Sequence, residues 1–204
     1  MNPSAHPSLG VVTLGAGASV RMGNPKLLLP WRESTVIGGI LAQWRELGAG
    51  QIGIVLRSDD AALTAELDRL DFPKRGHIEN PRPERGMFSS IVCAANWPGW
   101  QPEISNWAIV LGDQPHLRTE SLRVLLTSCV QNVGAICQPM FGGRGAHPVI
   151  LPRYTFAGLK TSGAATLKEF LKLAAAPRVQ VEMEDSGLLL DMDTPEDYKR
   201  LQSR

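Results

Sequence analysis

A six-residue apolar run, Leu9-Gly10-Val11-Val12-Thr13-Leu14, opens directly into Gly15-Ala16-Gly17-Ala18-Ser19-Val20-Arg21-Met22-Gly23-Asn24-Pro25-Lys26. No other stretch constrains the fold as much. The run reads as a buried strand, and small residues at its carboxyl end let a ligand approach the backbone. Glycines and open amides suit phosphate oxygens, and Arg21 and Lys26 add charge. Spacing excludes two familiar phosphate loops. A dinucleotide fingerprint from Gly15 and Gly17 needs a third glycine where Val20 stands. A Walker loop needs a lysine where Asn24 follows Gly23. The residues leave two readings, an ordinary Gly-rich turn or a phosphate cradle, and the two cations favour the cradle.

Downstream, short apolar runs alternate with amphipathic ones. Val36 to Leu47 has helical spacing, with Ser34 as its cap and Gly48 just past its end. Strands are expected at Gln51–Leu56, His77–Glu79, Trp107–Leu111, Val133–Cys137, Pro148–Leu151, Val179–Met183 and Leu188–Leu190. Helices are expected at Asp59–Leu70, Gly86–Trp97, Thr119–Val130 and Thr166–Leu173. Gln138–His147 reads as a Gly-rich loop. Thr194-Pro195-Glu196-Asp197 reads as a helix start with a capping box. This alternation implies an α/β fold with a mostly parallel sheet, whose ligands bind beyond the strands' carboxyl ends.

Bulk properties narrow the function. The 204 residues carry 21 basic and 20 acidic side chains, spread out, for a formal net charge of +1. Neither a nucleic-acid nor a membrane surface follows from that balance. Three cysteines, Cys93, Cys129 and Cys137, have no metal or disulfide spacing, so reduced thiols in a cytoplasmic setting are expected. Met1 to Ser8 is polar and Pro-containing and reads as a disordered lead-in. Residues 9–204 read as a single domain.

Carboxylates supply the chemistry. Asp113 follows an apolar strand in Gly112-Asp113-Gln114-Pro115, where it either holds a cation against phosphate or starts a turn. Asp191 and Asp193 are two apart, so an extended backbone turns both to one side. They either share a metal or complement the start of the last helix.

The loop Leu-Gly-Ala-Gly-Ala-Ser-Val-Arg-Met-Gly-Asn-Pro-Lys-Leu-Leu-Leu-Pro resembles the signature of the MobA-like nucleotidyltransferases, in the branch of molybdenum cofactor cytidylyltransferase. Gly15 replaces the usual first alanine. Gly112-Asp113-Gln114-Pro115 and Asp191-Met192-Asp193-Thr194-Pro195-Glu196-Asp197 match further family motifs in order. The resemblance implies a three-layer Rossmann-like fold, with a nucleotide half at about 9–115 and an acceptor half at about 116–204. It implies Mg2+ held by Asp113 and Asp193, and catalytic roles for Arg21, Lys26 and Asp113. Leu14, Gly15, Ala16, Gly17, Arg21 and Lys26 would contact an NTP, with CTP favoured.

Asn80 and Ser90 match a segment that lies along base and ribose in the family. Gly142 to Val149 resembles the acceptor-side stretch, implying acceptor contacts for His147; Asp191, beside the expected ligand Asp193, is a further acceptor-side candidate. The implied acceptor is a molybdopterin-type phosphate, with a molybdoenzyme as a downstream partner. Relatives often carry a Gly-Asp-x-Gly-Ala-Arg stretch where this chain has Lys160-Thr161-Ser162-Gly163-Ala164-Ala165, so the acceptor side departs from the pattern. Three alternatives remain: a cofactor-binding maturation protein without turnover, transfer to another phosphate acceptor, and a reductase, which the missing dinucleotide fingerprint disfavours.

Overall fold

The structure is a computed structural model that describes residues 8–17 and 22–203. Seven strands form one ordered path. They are β1 (Leu9–Leu14), β4 (Gln51–Arg57), β5 (His77–Asn80), β6 (Asn106–Leu111), β7 (Ile136–Phe141), β9 (Val149–Pro152) and β10 (Arg178–Glu182). Their order is β10-β7-β9-β6-β1-β4-β5. An eighth short strand, β8 (Arg144–Gly145), pairs with β7, while β2 (Pro30–Trp31) and β3 (Ser34–Thr35) form a separate two-stranded ribbon. Strand β9 runs antiparallel to β6 and β7. The other main pairings are parallel. The expected three-layer α/β fold with a mostly parallel sheet is the one observed.

Period-two alternation builds both layers. Val11, Ile54, Leu56, Ala108 and Val110 face one core, with α1 (Val36–Glu46), α2 (Ala61–Arg69), α4 (Thr119–Gln131) and α7 (Pro195–Gln202). Val12, Val55, Trp107 and Ile109 face the other, with α3 (Met87–Asn96), α5 (Arg153–Gly158) and α6 (Leu167–Leu173). Strand β1 sits between β4 and β6. The chain leaves it on one side towards β5 and returns on the other at β6. The crevice between the carboxyl ends of β1 and β6 is thus the topological switch point, where open α/β sheets bind ligands.

Several expectations need correction. Thr35 caps α1, its hydroxyl accepting from the Gly38 amide at 3.2 Å; Ser34 lies in the ribbon instead. Strand β7 begins at Ile136 and not Val133, which is 90% exposed beside Gly134 at φ +82°. Gln138–His147 is not a loop throughout: β7 continues to Phe141 and turns through Gly142 and Gly143, both at positive φ, into β8. Ser186–Leu189 is a 3-10 turn where a strand over Leu188–Leu190 was expected, and Asp185 caps it by accepting from the Gly187 amide. The capping box at Thr194 is present as expected. The disordered lead-in expected for residues 1–8 lies outside the described residues except for Ser8.

Candidate active site

Four segments converge on a cleft of about 560 Å³ at the carboxyl edge of the sheet. The first is the loop after β1. The Gly15 amide donates to Val55 O at 2.7 Å, which presses the loop onto β4. A Cβ on Gly15 would stand 3.0 Å from that same carbonyl oxygen, so the position must stay small. Leu14, Gly15, Ala16 and Gly17 all line the cleft. Arg21 lies outside the described residues.

The second segment follows β6. Gly112 passes so close to β1 that a Cβ there would meet Leu14 O at 2.5 Å, and its amide donates to that oxygen at 3.2 Å. This contact delivers Asp113 to the cleft. The third segment is Asp191-Met192-Asp193. Met192 is fully buried, and the two aspartates flanking it both line the cleft. The extended backbone therefore sends alternate side chains to core and cleft, as the two-residue spacing suggested.

Lys26 joins these pieces. It opens a 3-10 turn, Lys26–Leu28, whose Leu27 is buried. Its ammonium donates to Asp113 Oδ2 at 2.5 Å and to Asp193 Oδ1 at 3.3 Å. The three groups are 87 and 167 positions apart in sequence. Burial alone would pull the Lys26 pKa down, but the charges and hydrogen bonds of Asp113 and Asp193 outweigh it and hold the pKa above the ordinary lysine value. The group is cationic at neutral pH. The Asp191 carboxyl titrates above the usual range, first because it is buried and then because Asp113 and Asp193 repel its charge. Gln114 and Lys26 oppose that rise in part.

The fourth segment runs from β5 into α3. Asn80 is 1% exposed and does not line the cleft. Its amide nitrogen donates to Ser89 Oγ at 2.8 Å and Ser90 Oγ at 2.9 Å, and its oxygen accepts from the Arg82 amide. Asn80 thus holds the loop in shape, while Ser90 borders the cleft with Pro83, Glu84, Gly86 and Met87. Gly86 stands at φ +87°, a left-handed conformation that favours glycine. His147 lies outside the cleft lining; its Nδ1 is 3.1 Å from Ile109 O, and burial pulls its pKa below the ordinary value.

Arg57 was not singled out from the sequence. It ends β4, lines the cleft and pairs with Asp59 at 3.1 Å. Its place at a strand's carboxyl end was the available signal.

Asp113 and Asp193 form an acidic pair around a cation. Among the described residues no three His, Cys, Asp or Glu side chains form a metal cage. Two carboxylates open to a cleft suit a small divalent ion completed by substrate phosphates and water. The Lys26 ammonium between them already stands where a positive charge is stabilised, so the donor set fits such an ion.

The fold is the Rossmann-like α/β fold of the nucleotidyltransferases. The MobA-like NTP transferase domain matches residues 11–180, and the chain belongs to that family of nucleotidyltransferases. It is 23% identical to the molybdenum cofactor cytidylyltransferase of Escherichia coli, over 94% of each chain. It is 28% identical to the purine catabolism protein PucB of Bacillus subtilis, over 94% of this chain and 95% of that protein. Among solved structures, Rv0371c of Mycobacterium tuberculosis superposes with a TM-score of 0.74 at 27% identity, covering 98% of this chain and all of that one. A second structure of Rv0371c, in complex with manganese, superposes with a TM-score of 0.68 at 24% identity, covering 96% and 98%. No helix among the described residues is long and apolar enough to cross a membrane.

Proposed function

We propose that the protein transfers CMP from CTP to a phosphate of a molybdopterin-type acceptor, with Mg2+, releasing pyrophosphate. The observation that carries the reading is the Lys26 ammonium bound between Asp113 and Asp193 at the switch point. That arrangement gathers fixed charge where a transferring phosphoryl group needs it. The cytidylyltransferase relative supports CTP and the molybdopterin acceptor. The manganese complex of Rv0371c supports a divalent ion.

The residues then take distinct roles. Leu14, Gly15, Ala16 and Gly17 give the triphosphate a close backbone approach, with Arg21 and Lys26 as its cations. Asp113 and Asp193 hold Mg2+, which when bound supplies Lewis-acid charge against phosphate oxygens. Ser90 borders the nucleoside end, and Asn80 keeps that wall in place. Asp191, which lines the cleft, belongs to the acceptor side, and His147, outside the lining, backs that side from beneath. The acceptor phosphate attacks the α-phosphorus, the bond to the β-phosphate oxygen breaks, and pyrophosphate leaves. No protein nucleophile takes part, so the chain contributes positioning and charge.

One observation favours a different phosphate acceptor. Lys160–Ala165 lacks the acidic and basic residues of the family stretch, and its first residues form a 3-10 turn packed near α3. Incubation of the purified protein with labelled CTP, Mg2+ and either molybdenum-bound molybdopterin or alternative phosphate acceptors separates the two. Label transfer to molybdopterin supports the main reading. Transfer only to another acceptor supports the second, and transfer to none contradicts both.

A further inference from the structure

One stretch of chain, residues 114–121, straps the segment 185–191 at three points. Gln114 Nε2 donates to Asp191 Oδ1 at 3.1 Å and to Leu190 O at 3.3 Å. His116 Nε2 meets Gly187 O at 3.0 Å. Ser121 Oγ donates to Asp185 Oδ2 at 2.8 Å, and Asp185 is itself nearly buried. The strapped segment is not a strand. Strand β10 ends at Glu182, and a 3-10 turn and an extended stretch carry the chain on to Asp191 and Asp193. Side chains therefore do for this segment what a ladder does for the β6 end.

Gln114 stands apart from the other two straps. It is the residue next to Asp113, so one short piece of backbone carries both a cleft carboxylate and the clamp on the opposing segment. It is 4% exposed. Its carboxamide can face Asp191 and Leu190 O only with the nitrogen, because both are acceptors. In that orientation its Oε1 is buried without a hydrogen-bond partner.

We infer that Gln114 is a positioning residue that clamps the segment bearing Asp191 and Asp193 against the loop bearing Asp113, and so sets the geometry of the divalent-cation site. The inference rests on the reading of Asp113 and Asp193 as cation ligands. Gln114 touches no ligand in this scheme. It acts through the spacing of two carboxylates that arrive from opposite halves of the chain; partners bonded directly to a ligand change metal affinity about 10–100-fold when removed, and Gln114, bonded to Asp191 two residues from Asp193, is expected at the lower end of that range.

The test is Mn2+ binding followed by the paramagnetic signal of the unbound ion, in the presence of CTP, with thermal unfolding in EDTA alongside. Gln114→Met keeps the length and volume and removes the donor; Gln114→Leu repeats the loss with a different shape. Asp193→Asn serves as the ligand control. The expected result is Mn2+ binding about 10-fold weaker in either folded Gln114 variant, with the midpoint of unfolding in EDTA lowered by about 2–8 °C through the loss of two buried hydrogen bonds. Wild-type affinity in a folded Gln114 variant overturns the clamp while leaving the ligand assignment standing. Mn2+ binding unaffected by Asp193→Asn, or absent in the wild type, overturns both together.

Discussion

Replacing Lys26 by methionine removes the cation from between Asp113 and Asp193 and leaves the side-chain volume nearly unchanged. The pair with Asp113 is 2.5 Å long, with the two side chains 16% and 17% exposed. A hydrogen bond to a charged group contributes about 1.5–3 kcal/mol. Removing one member of a fully buried pair costs about 3–5 kcal/mol. This pair opens on a cleft, so water moderates the loss, and the structure predicts a destabilisation of about 2–3 kcal/mol. For a chain of this size that lowers the thermal midpoint by about 4–12 °C.

The sign of the metal effect is more discriminating. Without the ammonium, Asp113 and Asp193 lose the cation that bridges them, and a divalent ion no longer competes with it. Saturating Mn2+ therefore raises the midpoint of Lys26→Met more than that of the wild type; an ion at 100 times its dissociation constant adds about 2.7 kcal/mol. Nucleotidyl transfer falls about 100- to 1000-fold, because fixed charge beside the phosphates is lost. The assay is thermal unfolding of both proteins in EDTA and in Mn2+. A variant as stable as wild type in EDTA, or one that gains no more than wild type from Mn2+, refutes the reasoning.

Two further outcomes follow from the same structure. Asn80→Ala removes three hydrogen bonds at a buried position and is expected to cost about 2–3 kcal/mol in urea unfolding; unchanged stability would contradict its role in holding the cleft wall. His147 has a folded-state pKa below its ordinary value of about 6.5, mainly through burial, with the Ile109 carbonyl and the Asp113 charge acting partly against it. Its neutral form is the one the fold favours, so its contribution is complete above pH 6.5 and is lost as pH falls below that value. Acidification from pH 7.5 to 5.5 therefore destabilises the wild type through this group, and urea unfolding of His147→Gln should show a correspondingly flatter pH dependence; an equal slope would contradict it.

Residues 9–115 were legible because their signals are local and agree with one another. Apolar runs of five or six residues end at Leu14 and Leu111, each followed by a glycine that a close backbone approach requires. Residues 116–204 were less legible for physical reasons. Val133 has strand propensity, but Gly134 turns the chain there. The glycines of 142, 143 and 145 suggested a loop over the whole of Gln138–His147, yet β7 runs on to Phe141, with Pro139 paired to Val181 of β10 and placed beyond Cys137, the position paired with β9. Three leucines at 188–190 are too short a run for periodicity to tell a strand from a turn. The six residues of α5 are likewise too few to show a helical period.

At the site, spacing put Asp191 and Asp193 on one side and placed Asp113 at a strand end. It could not show that Lys26 reaches across to both acidic segments, since that contact joins residues up to 167 positions apart. Asn80 illustrates the opposite case. Its chemistry suits a base edge, but its partners are Ser89, Ser90 and the Arg82 amide, a set that only the folded loop reveals.

The central claim is that Asp113 and Asp193 hold the cation for nucleotidyl transfer in this cleft. Pyrophosphate release from CTP in the presence of acceptor, compared between wild type and Asp113→Asn in Mg2+ and in EDTA, tests it most directly. Release by the wild type that requires Mg2+ and drops at least 100-fold in Asp113→Asn is the predicted result. Release that persists in EDTA, or full activity in Asp113→Asn, would contradict it.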